Sequence, residues 1–318
     1  MKCSKVIDSD GRRHVVLNGI HLLLTYACTN ECDHCFLHCS PEARGTFTCE
    51  QLRRVFEEVE RVGTVRTVYF EGGEPFLYYP LLMEGLHMAA VAGLRAGVVT
   101  NAYWATSVKD AEIWLEPIRD IGIADLSISE DGFHRRGEDD CRAKLAFAAA
   151  TNLGIPCDTI SIAKSAGGPC DGLHSKGEPV TGGPVLFRGR AAERLTEGLP
   201  RRRCEELTTC PHEDLEAPGR VHVDCFGNVH VCQGVSIGNL WEAPLSRLIA
   251  EYDARRHPIC GPLVAGGPAA LAREYGVRLG DDFVDECHYC YSVRRALVEG
   301  FPGYLAPPGV YGLGWVSS

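Results

Sequence analysis

Residues 21–35, HLLLTYACTNECDHC, hold the reading that decides the fold. The run from His21 to Thr25 is a short strand-type segment. It leads straight into Cys28, Cys32 and Cys35, a C-x3-C-x2-C array at the strand's carboxyl end. Three thiolates close together in one short loop can hold three irons of a cubane cluster, which leaves the fourth iron open to a ligand. Two plainer readings stand beside it. One is a zinc site completed by His34, His38 or Cys39; the other is chance clustering in a chain with 16 cysteines among 318 residues.

Working outward, residues 20–190 alternate β-type and helical runs, the pattern of parallel strands joined by helical crossovers. Six strands are expected, near 21–25, 65–70, 96–100, 124–129, 157–163 and 184–187. Thr48 and Gln51 form a capping box ahead of a helix with Leu52, Val55, Phe56 and Val59 on one face, and Gly63 ends it. A second crossover spans about 81–92, a third follows the cap Ser107, and a fourth covers about 140–153. The connection between strands five and six, SAGGPCDGLHSKGEPVTGG, is a Gly/Pro-rich loop. The boundaries expected are a lead-in at 1–19, a core at 20–198, a cysteine-rich module at 199–300 and a tail at 301–318.

The second strand runs into Glu71-Gly72-Gly73-Glu74-Pro75. Two glycines admit a ligand close to the backbone, and the following carboxylate can pair with an ammonium group. Alone, GGEP reads as an ordinary turn. About forty residues after the cysteine triad, with one helix between, the combination resembles the radical S-adenosylmethionine (SAM) superfamily. That resemblance implies a partial TIM-type barrel of six β/α units, an α/β fold with ligand chemistry at the carboxyl ends of the strands. It also implies that Cys28, Cys32 and Cys35 ligate a [4Fe-4S] cluster whose open iron takes the amino and carboxyl groups of SAM, and that Gly72, Gly73 and Glu74 receive the methionyl amine. The cofactor then does the difficult chemistry, a 5′-deoxyadenosyl radical abstracting hydrogen from substrate.

Further positions resemble the superfamily less closely. Asn101, in Thr100-Asn101-Ala102, and Ser129 with Asp131, in SISEDG, end strands three and four, where they would contact SAM's ribose or the substrate; satisfying strand-end backbone is the competing role. RGRA at 188–191 places Arg190 as a partner for SAM's carboxylate, with a solvated surface arginine as the alternative.

Beyond Arg203 the alternation stops. VHVDCFGNVHVC, residues 221–232, reads as a hairpin around Gly227-Asn228, and Cys287-x2-Cys290 opens a helix. This arrangement resembles the SPASM/Twitch extensions of radical SAM enzymes, closer to the single-cluster Twitch type because no further cysteine follows Cys290. By that likeness Cys210, Cys232, Cys287 and Cys290 hold an auxiliary [4Fe-4S] cluster serving electron transfer, with Cys204 and Cys225 as substitutes and a four-thiolate zinc site as the alternative. The remaining cysteines, 3, 39, 49, 141, 157, 170 and 260, lack partner spacing and read as small buried or incidental side chains.

Composition narrows the function. An apolar fraction of 45% supports a closed core, and the 16 cysteines suit a reducing compartment's metal or redox chemistry better than a disulfide framework. A net charge of −10, from 32 Lys+Arg against 42 Asp+Glu, disfavours nucleic acid as a partner. No apolar run reaches the roughly 18 residues of a membrane span, and the first twenty residues lack a signal peptide's apolar stretch, so a cytoplasmic location is expected. The partners expected are a peptide or small-molecule substrate and an electron donor such as flavodoxin or ferredoxin. The lead-in is too short for the peptide-recognition domain of many peptide-modifying relatives. His134, Asp139 and Asp140 are candidates for substrate binding or proton transfer against a solvated-loop reading. The arginines at 188, 190, 194, 201, 202 and 203 form a basic stretch that would meet an anionic substrate or a reductase, with a surface patch as the plainer reading, and the uncharged aromatic tail from Phe301 is expected to pack on the body. A non-catalytic zinc-bound interaction or regulatory protein on the same scaffold is the competing function.

Overall fold

The computed structural model describes residues 15–135, 137, 139–164 and 176–315. Its strands are β1 (Gly19–Thr25), β2 (Thr67–Gly72), β3 (Arg95–Thr100), β4 (Asp125–Ser129), β5 (Cys157–Ile160), β6 (Ile162–Ala163), β7 (Gly183–Pro184), β8 (Arg202–Arg203), β9 (Arg220–Asp224), β10 (Asn228–Cys232), β11 (Val235–Asn239) and β12 (Asp282–Phe283). The helices are α1 (Cys49–Val62), α2 (Tyr79–Val91), α3 (Val108–Ile121), α4 (Arg142–Asn152), α5 (Arg190–Arg194), α6 (Leu245–Glu251), α7 (Cys260–Glu274) and α8 (Glu286–Leu297).

Strands β1 to β5 run parallel in order, with α1 to α4 as the crossovers between them. Every residue of β1 is buried, as befits a strand with neighbours on both edges and cover on both faces. Local signals set the helix ends. In α1 both halves of the capping box form: Gln51 N donates to Thr48 Oγ1 at 3.2 Å and Thr48 N donates to Gln51 Oε1 at 2.8 Å, a cap whose loss costs about 1 kcal/mol. Gly63 closes the helix with φ +70°, a left-handed conformation that glycine adopts without strain.

The expected fifth strand breaks at Ser161 into β5 and β6. β6 leaves the main sheet to pair with β7, through Ile162 opposite Gly183 and Ala163 opposite Pro184. The sixth strand is therefore two residues long. The loop between these strands falls largely at 165–175, outside the described residues, as do Cys3 and Cys170.

Across the other edge of β1 lies β9, also parallel, with His21 opposite His222. The expected hairpin forms from β9 and β10, and β11 adds a third antiparallel strand, so the main sheet reads β11-β10-β9-β1-β2-β3-β4-β5. Residues after 199 thus extend the sheet that carries the first cysteine loop. Helix α8 begins after Asp285, whose side chain accepts from His288 N at 2.7 Å, and it places Cys287 and Cys290 one turn apart on one side. In the tail, Tyr311 is fully buried and stacks on Tyr291, and Trp315 packs at 4.4 Å on Tyr26. Among the described residues no helix is long and apolar enough to cross a membrane.

Candidate active site and cysteine clusters

The cysteine loop leaves β1 and the diglycine turn leaves β2, and main-chain hydrogen bonds fasten one to the other. Gly73 N donates to Thr25 O at 2.7 Å and Glu74 N donates to Ala27 O at 2.9 Å. The approach is so close that a Cβ on Gly73 would lie 2.0 Å from the Ala27 carbonyl oxygen. Only glycine fits there. Above these strand ends opens a cavity of about 430 Å³ bordered by Cys28, Cys32, Cys35, Gly72, Gly73, Asn101 and Ser129.

Glu74 and Arg190 are placed differently from the other expected SAM contacts. Glu74 is fully buried and accepts from Phe76 N at 3.0 Å, Thr100 Oγ1 at 2.9 Å and Asn101 N at 2.7 Å. Burial pushes its carboxyl up to about 7 against those hydrogen bonds. The side chain ties the end of β2 to the end of β3. Arg190, also buried, donates from Nη1 to Cys32 O at 2.7 Å and from Nη2 to Cys39 O at 2.9 Å, while its own N–H donates to Cys35 O at 2.9 Å. Its guanidinium clasps the cysteine loop. Asn101 Nδ2 lies 3.5 Å from Cys28 Sγ and 3.1 Å from Thr29 Oγ1.

Burial pushes the Cys28 thiol up to about 12 and that of Cys32 higher still. A cation would offset that desolvation at Cys28 and Cys32, whereas a hydrogen bond from Cys39 lowers the Cys35 thiol to about 6. The spacing bears on which centre fits. Among the described residues, the groups of three or more ligand atoms within 4.8 Å of one another are His21/Glu71/His222 and His34/Asp131/His134, and neither includes a cysteine. Thiolates on a single zinc, at about 2.3 Å each, sit only about 3.8 Å apart.

A second thiol group forms where β10, α8 and the segment before β9 meet. Cys210 feels the charges of Cys232 and Cys290, Cys287 those of Cys210 and Cys290, and burial pushes the thiols of Cys210, Cys287 and Cys290 upward. Cys260, an incidental cysteine by its spacing, lies within the same electrostatic reach of Cys232 and Cys210. Cys204 sits instead beside Tyr289, and Cys225 beside Asp224 and Gly45. Arg188 bridges the two cysteine regions: Nη1 is 3.6 Å from Cys232 Sγ and 3.2 Å from Glu213 Oε1, and the guanidinium lies 5.3 Å from the ring centroid of Phe36, next to Cys35.

Residues 22–173 match the model of the radical SAM superfamily. The chain carries a radical SAM domain. Among curated proteins it is similar to YydG of Bacillus subtilis (strain 168), whose name refers to peptide biosynthesis, at 26% identity over 115 residues; the match spans 36% of this chain and 36% of that protein. Among solved structures it is similar to BtrN in complex with AdoMet and 2-DOIA, with a TM-score of 0.50 and 14% identity over 74% of this chain and 83% of that one, a likeness of fold. The superfamily matched by residues 22–173 implies a [4Fe-4S] cluster and SAM.

The radical SAM lumen also holds residues that sequence reasoning missed. His21, Glu71 and His222 face one another below the cysteine loop, with His21 Nδ1 and His222 Nε2 each 3.2 Å from a different Glu71 oxygen. Burial opposes ionisation of Glu71, but the two imidazoles hold its carboxyl far below the usual range; burial also pushes His222 down to about 4. A histidine flanked by apolar residues in each of β1 and β9 was the available signal. His134, an expected candidate, borders the cavity and contacts Asp131 at 2.9 Å. Asp140 pairs with Arg142, and Asp139 is exposed.

The expected basic surface patch is partly buried and its exposed members are paired with acids. Arg188 and Arg190 are buried, and carboxylates meet the others: Arg194 pairs with Glu31 and Asp33, Arg201 with Asp282, Arg202 with Glu286 and Arg203 with Glu205.

Proposed function

We propose that this radical SAM enzyme abstracts hydrogen from a peptide substrate in the maturation of a ribosomally made precursor, with an auxiliary iron–sulfur cluster aiding electron transfer. The observation that carries the reading is the single cavity onto which Cys28, Cys32, Cys35 and the Gly72-Gly73 turn all open. The peptide assignment draws on the name of YydG. When bound, the reduced cluster and SAM supply a 5′-deoxyadenosyl radical for hydrogen abstraction.

The protein's own residues contribute aim and exclusion of water. Cys28, Cys32 and Cys35 would hold three irons, and Gly72 and Gly73 let the methionyl amine reach the backbone. Asn101 and Ser129 offer polar groups to SAM from the ends of β3 and β4. Arg190 and Glu74 act from outside the cavity lining, holding the cysteine loop and the turn in place. Cys210, Cys232, Cys287 and Cys290 would hold the auxiliary cluster, with Arg188 donating toward the Cys232 sulfur, an arrangement that tunes cluster potential. An electron donor such as flavodoxin or ferredoxin completes the system.

The test is anaerobic reconstitution followed by iron and sulfide counting. Two [4Fe-4S] clusters predict about eight irons per chain, falling to about four when Cys28, Cys32 and Cys35 are replaced by alanine, and likewise when Cys287 and Cys290 are. Deuterium transfer into 5′-deoxyadenosine from labelled candidate peptides identifies the substrate. Stoichiometric zinc with no SAM cleavage would reject the reading.

A further inference from the structure

Barrel interiors are ordinarily filled by branched apolar side chains, yet this lumen carries two imidazoles and a carboxylate that the cysteine-held chemistry does not use. His21 on β1, Glu71 on β2 and His222 on β9 stand on three adjacent parallel strands, with His21 and His222 in direct register. Hydrogen-bonded strands allow such side chains little relative movement. One nitrogen from each histidine and a Glu71 oxygen lie within 4.8 Å of one another, and all three residues border the cavity.

Two details separate this cluster from an ordinary buried hydrogen-bond network. His21 Nδ1 is buried and lies 3.2 Å from Glu71 Oε2, yet it has no aligned hydrogen-bond partner. Beside them, Gln233 holds its buried Oε1 without a partner, and its Nε2 is 3.4 Å from His222 Nε2, longer than a well-formed N–H hydrogen bond. More than nine-tenths of buried polar atoms find partners, so two orphans at one spot point to a missing one. The neighbouring cations do not oppose a further positive charge at full strength, because Arg188 and Arg220 both pair with Glu213, at 3.2 and 3.5 Å.

Two imidazoles and one carboxylate, with open positions on a cavity, form the donor set of open-sited Fe²⁺, Mn²⁺ and Zn²⁺ centres. We propose that His21, Glu71 and His222 bind one divalent first-row metal ion whose free coordination positions face the cavity, where water or an oxygen donor of the substrate completes the shell. The site is independent of the cysteine-held clusters.

Mn²⁺ is the probe, because thiolates compete poorly for it. It is titrated into the full-length protein with its clusters oxidised and followed by electron paramagnetic resonance. The expected result is one tightly held Mn²⁺ per chain, with pulsed spectra showing coupling to two imidazole nitrogens that changes on ¹⁵N-histidine labelling. Glu71→Gln and His222→Ala should each weaken binding at least about tenfold, whereas His134→Ala, in the other His/Asp group, should not. Absence of bound Mn²⁺ in the wild-type protein, or loss in His134→Ala with retention in His222→Ala, would overturn the proposal. The labelling arm uses only wild-type protein and stands even where a variant misfolds. 5′-Deoxyadenosine formation, measured separately, tells failure of this site from failure of the radical SAM chemistry.

Discussion

Arg190 and Cys32 are 158 residues apart in sequence, and the guanidinium Nη1 of the first donates to the carbonyl oxygen of the second at 2.7 Å. With the bond to Cys39 O at 2.9 Å, one side chain fixes both ends of the loop that carries Cys32 and Cys35. A planar fork reaches two carbonyls at once; an ammonium does not.

Arg190→Lys is therefore expected to lose about 1.5–3 kcal/mol of stability, the worth of a buried hydrogen bond to a charged group. It should also lower iron retention at the first cysteine loop while leaving that of the second thiol group intact. Chemical unfolding and iron counting in a variant lacking Cys287 and Cys290 measure the two effects.

Gly73→Ala places a Cβ where 2.0 Å separates it from the Ala27 carbonyl. The turn must retreat from the cysteine loop, at a cost of about 1–3 kcal/mol, and SAM binding should weaken with it. Equilibrium dialysis of SAM against the reconstituted variant reads the loss directly; wild-type affinity would contradict the packing argument.

Glu74 makes stability depend on pH. Its folded-state pKa, raised by burial to about 7, lies above the ordinary carboxyl value. Its contribution is thus complete at acid pH and is lost as pH rises from the ordinary carboxyl range through 7, a change of about 3 kcal/mol. Glu74→Gln cannot accept from the Asn101 N–H through an amide nitrogen, so it is less stable overall but lacks this slope. Subtracting its unfolding free energies from wild-type values between pH 5 and pH 8 isolates the effect.

Cys260 tests the second thiol group. It lies close to Cys232 and Cys210 but is committed to the packed start of α7. Cys260→Ser should keep about eight irons per chain, whereas Cys210→Ser should lose part of the auxiliary complement. Equal loss in both would redraw the ligand set.

Much of the core was legible because its signals are local. The alternation of strand and helix, the Thr48–Gln51 capping box, the hairpin at Gly227 and the helix opening at Cys287 each depend on neighbours a few residues away. The sixth strand was overestimated for the opposite reason: nothing local reports that β6 turns off the sheet to meet β7. Similarly, Arg188 read as a surface residue, and Arg190 as either a SAM contact or a solvated arginine, because a run of arginines reveals charge but not its buried acceptors.

By itself, the order of residues determined the parallel α/β layout and the two thiol-bearing regions, since strand periodicity and short cysteine spacings are properties of contiguous chain. Only the tertiary structure decided that His21, Glu71 and His222 converge, that Arg190 clasps the cysteine loop, and that Cys210 lies with Cys232, Cys287 and Cys290 while Cys204 and Cys225 lie elsewhere. Those contacts join segments up to two hundred residues apart, and their geometry exists only after β9 has docked along β1 and α8 has packed against the barrel.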